Sequence, residues 1–274
     1  GTGNQKIHIK SLEKNITGAV RFATVKIIAT EKNIDQPIIV TIAQKPSNPI
    51  WTKLYGGTSG DFAEAVCASD DGGFVLAGTS RSNDGDVSTN IGHDDVWVMK
   101  SDANGNKIWS KTYGGSYIDM VENIAPTSDG GFVVTGRTWS YDGDMIGFKG
   151  NTDVFVIRID ANGNKMWSRT YGGSDGDVGN CIAQTNDGGF IIGVFTSSIN
   201  GDISSNSDAW LFKIDVGGNI QWTKAIGGID TDRPNSILIN DDGTFLVAGT
   251  SFSTNNDFAG NHGSNDAWVM KLTA

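Results

Sequence analysis

Apolar and polar residues alternate in short runs along most of the chain, and the runs come in sets of four. In the first set, strand A (Ala63–Ser69), strand B (Gly73–Ser80), strand C (Asp95–Ser101) and strand D (Lys107–Tyr113) carry a two-residue period rich in Val, Phe, Trp and Tyr. That period and those side chains predict half-buried β-strands. An Asp-Gly-Gly turn joins A to B, and Asp102-Ala103-Asn104-Gly105-Asn106 joins C to D. Both put Gly or Asn where a tight turn needs positive φ, so both are predicted hairpins. No long stretch has the helical period.

The set of four repeats. WTKLYGG at Trp51 returns as WSKTYGG at Trp109, WSRTYGG at Trp167 and WTKAIGG at Trp222, spaced 58, 58 and 55 residues apart. DDGGFVLAG at Asp70 returns at Ser128, Asn186 and Asp241, and DVWVMKSDANGN at Asp95 is echoed from Asp153, Asp208 and Asp266. Four-stranded repeats of this length stack so that each neighbour buries the next one's face. The expected fold is all-β: a four-bladed β-propeller of four-stranded blades, about 61–115, 119–173, 177–228 and 232–274. The fourth copy lacks a strand D, and a spare one, Ile50–Leu54, precedes the first strand A. It is expected to complete the last blade and close the ring non-covalently, so the propeller domain is 50–274. Seven of the eight tryptophans sit at repeated positions of strands C and D, as expected for packing between blades. Residues 1–49 differ in texture, β-branched and poor in glycine. Lys6–Lys10, Arg21–Thr30 and Pro37–Gln44 read as strands of a short, partial β-sandwich-like segment.

The turn in KSDANGNKIW and RIDANGNKMW resembles the strand–turn–strand signature of quinoprotein-type propeller repeats. The wider pattern, YGG…DGGF…GD…D-W, resembles the roughly 60-residue propeller repeats of secreted bacterial proteins. No vicinal cysteines or convergent cluster match a quinone site. The run NITGAVRFATVKIIATEKNIDQPIIVTIAQKP, with Asn15, Arg21-Phe22-Ala23-Thr24-Val25 and a closing strand ending at Gln44, resembles the C-terminal half of the immunoglobulin-like (BACON-like) module of gut Bacteroidetes proteins. The module's first half is not present. These resemblances imply a secreted, periplasmic or cell-surface protein. The module implies either glycan contact or, as we expect here, a spacer.

Composition narrows the chemistry. A net charge of −10 with scattered basic residues argues against nucleic acid, which needs clustered Lys and Arg to displace counterions. No run approaches the ~18 apolar residues needed to span a bilayer. Cys67 and Cys181 fall two residues apart in repeat register, in copies one and three, and read as small apolar residues. The Asp102, Asn104, Asn106 alternation lacks the glycine and the Glu of a calcium-binding EF-hand loop, so it reads as a structural turn.

Candidate site residues lie on one face. The B–C connections are long and varied, whereas the hairpin turns opposite are short and uniform, and function on such scaffolds sits on varied loops. Three aspartates recur in every blade: Asp61, Asp119, Asp177 and Asp232; Asp86, Asp144, Asp202 and Asp257; Asp95, Asp153, Asp208 and Asp266. Residues repeated in every blade are expected to accept loop N–H bonds. Calcium in these loops is the alternative, not favoured, and no cofactor is expected. Positions that vary are more informative. Glu64, Glu122, Asn180 and Asn235 start the strands nearest the axis and could meet a cation or a sugar hydroxyl cluster, or simply line a hydrated pore mouth. Trp139 stands out of register on a B–C loop, where the other blades have Arg81, Ser197 and Phe252. Tyr141 follows two places on. Trp139 and Tyr141 would form an aromatic platform for a sugar face, with loop packing as the alternative. The three histidines are dispersed, and no nucleophile set or phosphate-cradling loop is present. The reading is a non-enzymatic extracellular module binding polysaccharide or cell-surface glycan. Its alternatives are a glycan lyase or hydrolase using acids near the axis, and a purely structural scaffold. The sequence assigns no oligomeric state.

Overall fold

The computed structural model describes residues 21–27, 38–44, 51–202 and 208–273. The chain divides into two compact units, Gly1–Leu54 and Tyr55–Ala274. In the first, β1 (Arg21–Ile27) and β2 (Ile38–Gln44) pair antiparallel, from Arg21 opposite Gln44 to Ile27 opposite Ile38. Two of the three strands expected there are thus present. The third, Lys6–Lys10, and most of the immunoglobulin-like segment lie outside the described residues.

The second unit is the propeller. Blade 1 contains β3 (Asp61–Ala68), β4 (Phe74–Ser80), β5 (Asp95–Ser101) and β6 (Lys107–Tyr113). Blade 2 contains β7 (Asp119–Pro126), β8 (Phe132–Thr138), β9 (Asp153–Ile159) and β10 (Lys165–Tyr171). Blade 3 contains β11 (Asp177–Gln184), β12 (Phe190–Thr196), β13 (Ala209–Ile214) and β14 (Ile220–Ile226). Blade 4 contains β15 (Asp232–Ile239), β16 (Thr244–Ser251) and β17 (Asp266–Thr273). Each blade is an antiparallel meander in chain order, and the innermost strands pack in succession, β3 on β7, β7 on β11, β11 on β15. Strand A begins at Asp61, two residues earlier than its apolar run suggests, because Asp61 pairs with Ser80 in the ladder and bonds its side chain.

The core lies between blades. Phe132, Phe155 and Met145 of blade 2 pack with Val75, Val96 and Val98 of blade 1. Phe190, Trp210 and Phe212 of blade 3 pack with Val133, Val154 and Val156 of blade 2. Staples cross the first two junctions at the outer strand. The Tyr113 hydroxyl donates to the Gly163 carbonyl and that of Tyr171 to Gly218, both at 2.6 Å. Trp109 and Trp167 donate their ring N–H to Ala161 and Val216. The tryptophans therefore serve packing between blades, deeply buried on strand C and partly exposed on strand D.

The segment expected to close blade 4, Ile50–Leu54, belongs to the first compact unit, and Ile50 lies outside the described residues. Blade 4's sheet has three strands, and residues 51–54 carry no strand structure. β15 does not pack on β3 in the way the consecutive inner strands pack on one another. Val66 of blade 1 and Val269 of blade 4, whose counterparts in the inner blades are buried, are 66 % and 69 % exposed. The propeller has four blades and one open seam.

Both cysteines are free; Cys181 is buried and Cys67 partly so. Burial pushes both thiols up to about 12, as expected of small apolar residues.

Candidate functional site

One face of the propeller is built by clamping each D–A loop against the neighbouring B–C loop, and the clamp repeats in all four blades. In blade 2 the first glycine of YGG, Gly114, donates its N–H to Asp144 (3.1 Å), Gly115 to Asp119 (2.8 Å), Ser116 to Asp142 (2.7 Å) and Tyr117 to the Ser140 hydroxyl (2.9 Å). Thr138 and Ser140 donate their hydroxyls to Asp119 in turn. The same four acceptors recur as Asp86, Asp61, Asp84 and Ser82 in blade 1. They recur as Asp202, Asp177, Asn200 and Ser198 in blade 3, and as Asp257, Asp232, Asn255 and Ser253 in blade 4. The third aspartate set works the same way: Asp95 accepts from Ile91 and Gly92, Asp153 from Lys149, Asp266 from His262. Among the described residues, the repeated aspartates other than Asp208 are thus seen as acceptors of loop N–H groups. A Cβ at Gly114 would stand 2.4 Å from Asp95 Oδ1 and 2.9 Å from Asp119 Oδ2, which is why that position is glycine.

Sequence reasoning missed part of the clamp, the Asp142 and Ser140 positions. The signal was present as the pattern Ser/Thr-x-Ser-x-Asp/Asn, at Ser80, Thr138, Thr196 and Ser251. Its first, third and fifth residues point into the clamp. The second and fourth point out, and these are the positions that vary: Arg81, Trp139, Ser197 and Phe252, then Asn83, Tyr141, Ile199 and Thr254. All are exposed except Trp139, which is half-buried.

Trp139 and Tyr141 take different surroundings. The Arg137 guanidinium lies 5.6 Å from the centre of the Trp139 ring. It also reaches Glu122 at 3.7 Å, so Glu122, Arg137 and Trp139 form one line. Tyr141, 62 % exposed, pairs instead with Tyr117, 45 % exposed, with ring centres 5.5 Å apart. Glu64, Glu122, Asn180 and Asn235 prove to be the extra residues of four equivalent β-bulges, where strand A slips one residue against strand B. A bulge re-aims its side chain out of the ladder. The Glu122 carboxyl is raised by burial, with Arg137 opposing and Glu64 adding to the shift. Two other residues are engaged elsewhere. Asn180 donates its amide to the Pro234 carbonyl at 3.0 Å, tying blade 3 to blade 4. Arg81 is gripped by Asp94 through both its Nε and its Nη2.

Neighbouring carboxyls on this face shift upward. Burial raises Asp95 to about 6 and Asp153 to about 7, opposed by loop N–H bonds and reinforced by Asp119 and Asp177 respectively. Their Oδ1 atoms are buried with no hydrogen-bond partner. Among the described residues no group of three His, Cys, Asp or Glu side chains is arranged to hold a metal ion. In the C–D turns, Asp102 accepts from the Asn104 and Asn106 N–H groups and the Asn106 amide, so its carboxylate is used within the turn.

No family model matches the chain. It is 27 % identical over 228 residues to Regulatory protein FlaEY of Caulobacter vibrioides, covering 76 % of this chain and 24 % of that protein. The chain thus spans about a quarter of the length of this relative. Among solved structures, it is similar to a protein of unknown function from Bacteroides caccae (TM-score 0.41, 11 % identity, 77 % of this chain and 60 % of that one). It is also similar to a structure provisionally named a gluconolactonase (TM-score 0.38, 9 % identity, 72 % and 73 %). The fold assignment rests on the strand order of this chain itself. None of the helices is long and apolar enough to cross a membrane among the described residues.

Proposed function

We propose that the propeller is a non-enzymatic binding module of a secreted or cell-surface protein, and that its B–C loop face takes glycan. One observation carries this reading. The loop pattern spends its inward residues on the clamp and turns the others outward, and blade 2 fills those positions with Trp139 and Tyr141, the latter beside Tyr117. Flat apolar rings with a polar edge suit the faces of sugar rings. Arg137 holds Trp139 in place and could donate to a hydroxyl at its rim. Glu64 and Glu122 add acceptors nearer the axis. The relative's name, a regulatory protein, accords with a role exercised through binding.

A glycan array followed by calorimetry tests the reading. Trp139→Ala and Tyr141→Ala should each weaken a stacked sugar by about 1–3 kcal/mol. Absence of binding across neutral and acidic polysaccharides would reject it. The hydrolase or lyase alternative draws on Glu122, whose raised carboxyl lies near Glu64. Release of reducing ends from a polysaccharide, abolished in Glu122→Gln or Glu64→Gln, would replace the binding reading with that one.

A further inference from the structure

Independently of any ligand, the clamp fixes one asparagine of the B–C face beside an unshielded glycine nitrogen. The fifth residue of the loop pattern is Asp84, Asp142, Asn200 and Asn255 in blades 1 to 4. In each blade it accepts an N–H from the D–A loop, from Thr58, Ser116, Ser174 and Ile229 in turn. In the first three blades the next residue is a glycine with positive φ, 67° at Gly85, 63° at Gly143 and 79° at Gly201. A Cβ on any of the three would stand 2.3 Å from a backbone carbonyl oxygen, that of Gly56, Gly114 and Gly172 respectively. The clamp thus requires glycine there, both for its φ and for the close approach of two backbones. Blade 4 has Asn256 in that place, at φ 51°.

This requirement sets Asn200 apart from its three counterparts. The backbone nitrogen after an asparagine attacks the side-chain carbonyl most readily when the following residue is glycine, with no Cβ in the way. Asp84 and Asp142 carry no amide to lose, and Asn255 is followed by a residue with a side chain. Two other Asn-Gly pairs, Asn104-Gly105 and Asn162-Gly163, lie in the C–D turns, but their glycine nitrogens are committed. Gly105 donates its N–H to the Asp102 carbonyl and Gly163 to that of Asp160, both at 3.0 Å. The Gly201 N–H makes no hydrogen bond among the described residues. The Ser174 N–H, 2.9 Å from Asn200 Oδ1, draws charge from the carbonyl to be attacked and stabilises the oxygen as it turns anionic.

The same loop holds a partner for the product. In blade 2, Ser116 donates its hydroxyl to one oxygen of Asp142 and its N–H to the other. The hydroxyl first and the N–H second hold the Asp142 carboxyl below its ordinary range. Asn200 presents an NH2 group where Asp142 has its second oxygen, so a hydroxyl has nothing to donate to there. The Ser174 hydroxyl reaches only Asp175, at 3.5 Å.

We propose that Asn200 deamidates spontaneously to the aspartate that blades 1 and 2 carry at this position. The Gly201 nitrogen bonds to Asn200 Cγ and gives up its proton, the Cγ–Nδ2 bond breaks, and ammonia leaves with that proton. Water then opens the succinimide. Opening at Cγ gives aspartate on an unchanged backbone, which gains the Ser174 hydroxyl as a donor and adds a negative charge to the B–C face. Opening at the backbone carbonyl gives isoaspartate, whose extra backbone methylene displaces it from the clamp.

Peptide mapping of the full chain by mass spectrometry, during incubation in mildly alkaline buffer, provides the test. Acid at residue 200 should accumulate about tenfold faster than at residues 104 and 162, the factor for freeing one engaged backbone hydrogen bond. Asn200→Asp should melt about 1–3 °C above freshly purified parent protein near pH 7. That gain should vanish when Ser174→Ala is added, and be lost as pH falls below about 4, where the carboxylate takes up its proton. A residue 200 that stays an amide, or converts no faster than residues 104 and 162, overturns the proposal. So does an Asn200→Asp protein that melts below the parent, since the product then has no partner waiting in the clamp.

Discussion

Blades 2 and 3 stand between neighbours, whereas blades 1 and 4 each have one neighbour, and the same repeat behaves differently in the two settings. Phe132 and Phe74 hold one register position, yet the first is buried and the second half-exposed to solvent. Asp119 and Asp61 accept the same loop N–H and hydroxyl groups, but only Asp119 is fully buried. The contrast extends to acidity. Asp95 and Asp153, enclosed at the first two junctions, are raised, whereas Asp266 in blade 4 is lowered, chiefly by the N–H bond from His262 with little burial to oppose it. A repeat specifies a face; the energy that face returns depends on what covers it.

The largest test of this difference is truncation of the repeated phenylalanine. Phe190→Ala should cost about 3–5 kcal/mol, the range for emptying a closed core site. Phe74→Ala should cost less than half as much in dilute, monomeric protein, since water already reaches that site. Urea denaturation measures both, and equal losses would break the comparison.

Next comes the clamp. Asp177→Ala removes the acceptor of the Gly173 N–H and of the Thr196 and Ser198 hydroxyls, all at a buried site. Stranded donors of this kind cost about 1–3 kcal/mol each. Asp61→Ala should cost less, because water can replace the carboxylate there, and the pair of melting curves sharpens the contrast.

A smaller effect is pH dependence. Asp95 and Asp153 have native values near 6 and 7, above the ordinary carboxyl range. The native state thus binds more protons than the unfolded chain between about pH 4 and 7, so stability falls as pH rises through 6 and 7. Asp71, Asp129 and Asp187, held near 2 by bonds to groups that include Lys100, Arg158 and Lys213, act oppositely. Their contribution is lost as pH drops below about 4. The melting temperature should therefore rise from pH 8 to 5 and fall again toward pH 2. Asp153→Asn should flatten the upper limb, whereas Asp266→Asn should not. A melting temperature constant from pH 5 to 8 would remove the distinction between enclosed and open blades.

The smallest effect separates the outward loop positions from the clamp beside them. Trp139→Ala and Tyr141→Ala should leave stability within about 0.5 kcal/mol, as surface changes do. Losses approaching that of Asp177→Ala in thermal melts would make these rings part of the loop packing.

Much of this molecule follows from local pattern. The two-residue period, the Asp-Gly-Gly turns and the recurring WSKTYGG, DGGF and DVWVMK segments determine four meanders and their order. The three aspartate sets were legible as backbone acceptors because short carboxylates next to glycine turns have few other uses. What the sequence could not determine is anything fixed between repeats. One such fact is how Phe155, Trp210 and their partners fill the space between blades. The union of Glu122, Arg137 and Trp139, the grip of Asp94 on Arg81 and the amide staple of Asn180 are likewise tertiary facts. Periodicity reports which side of its own sheet a residue faces. Only the packed structure decides whether another blade, a charged partner or water lies on that side.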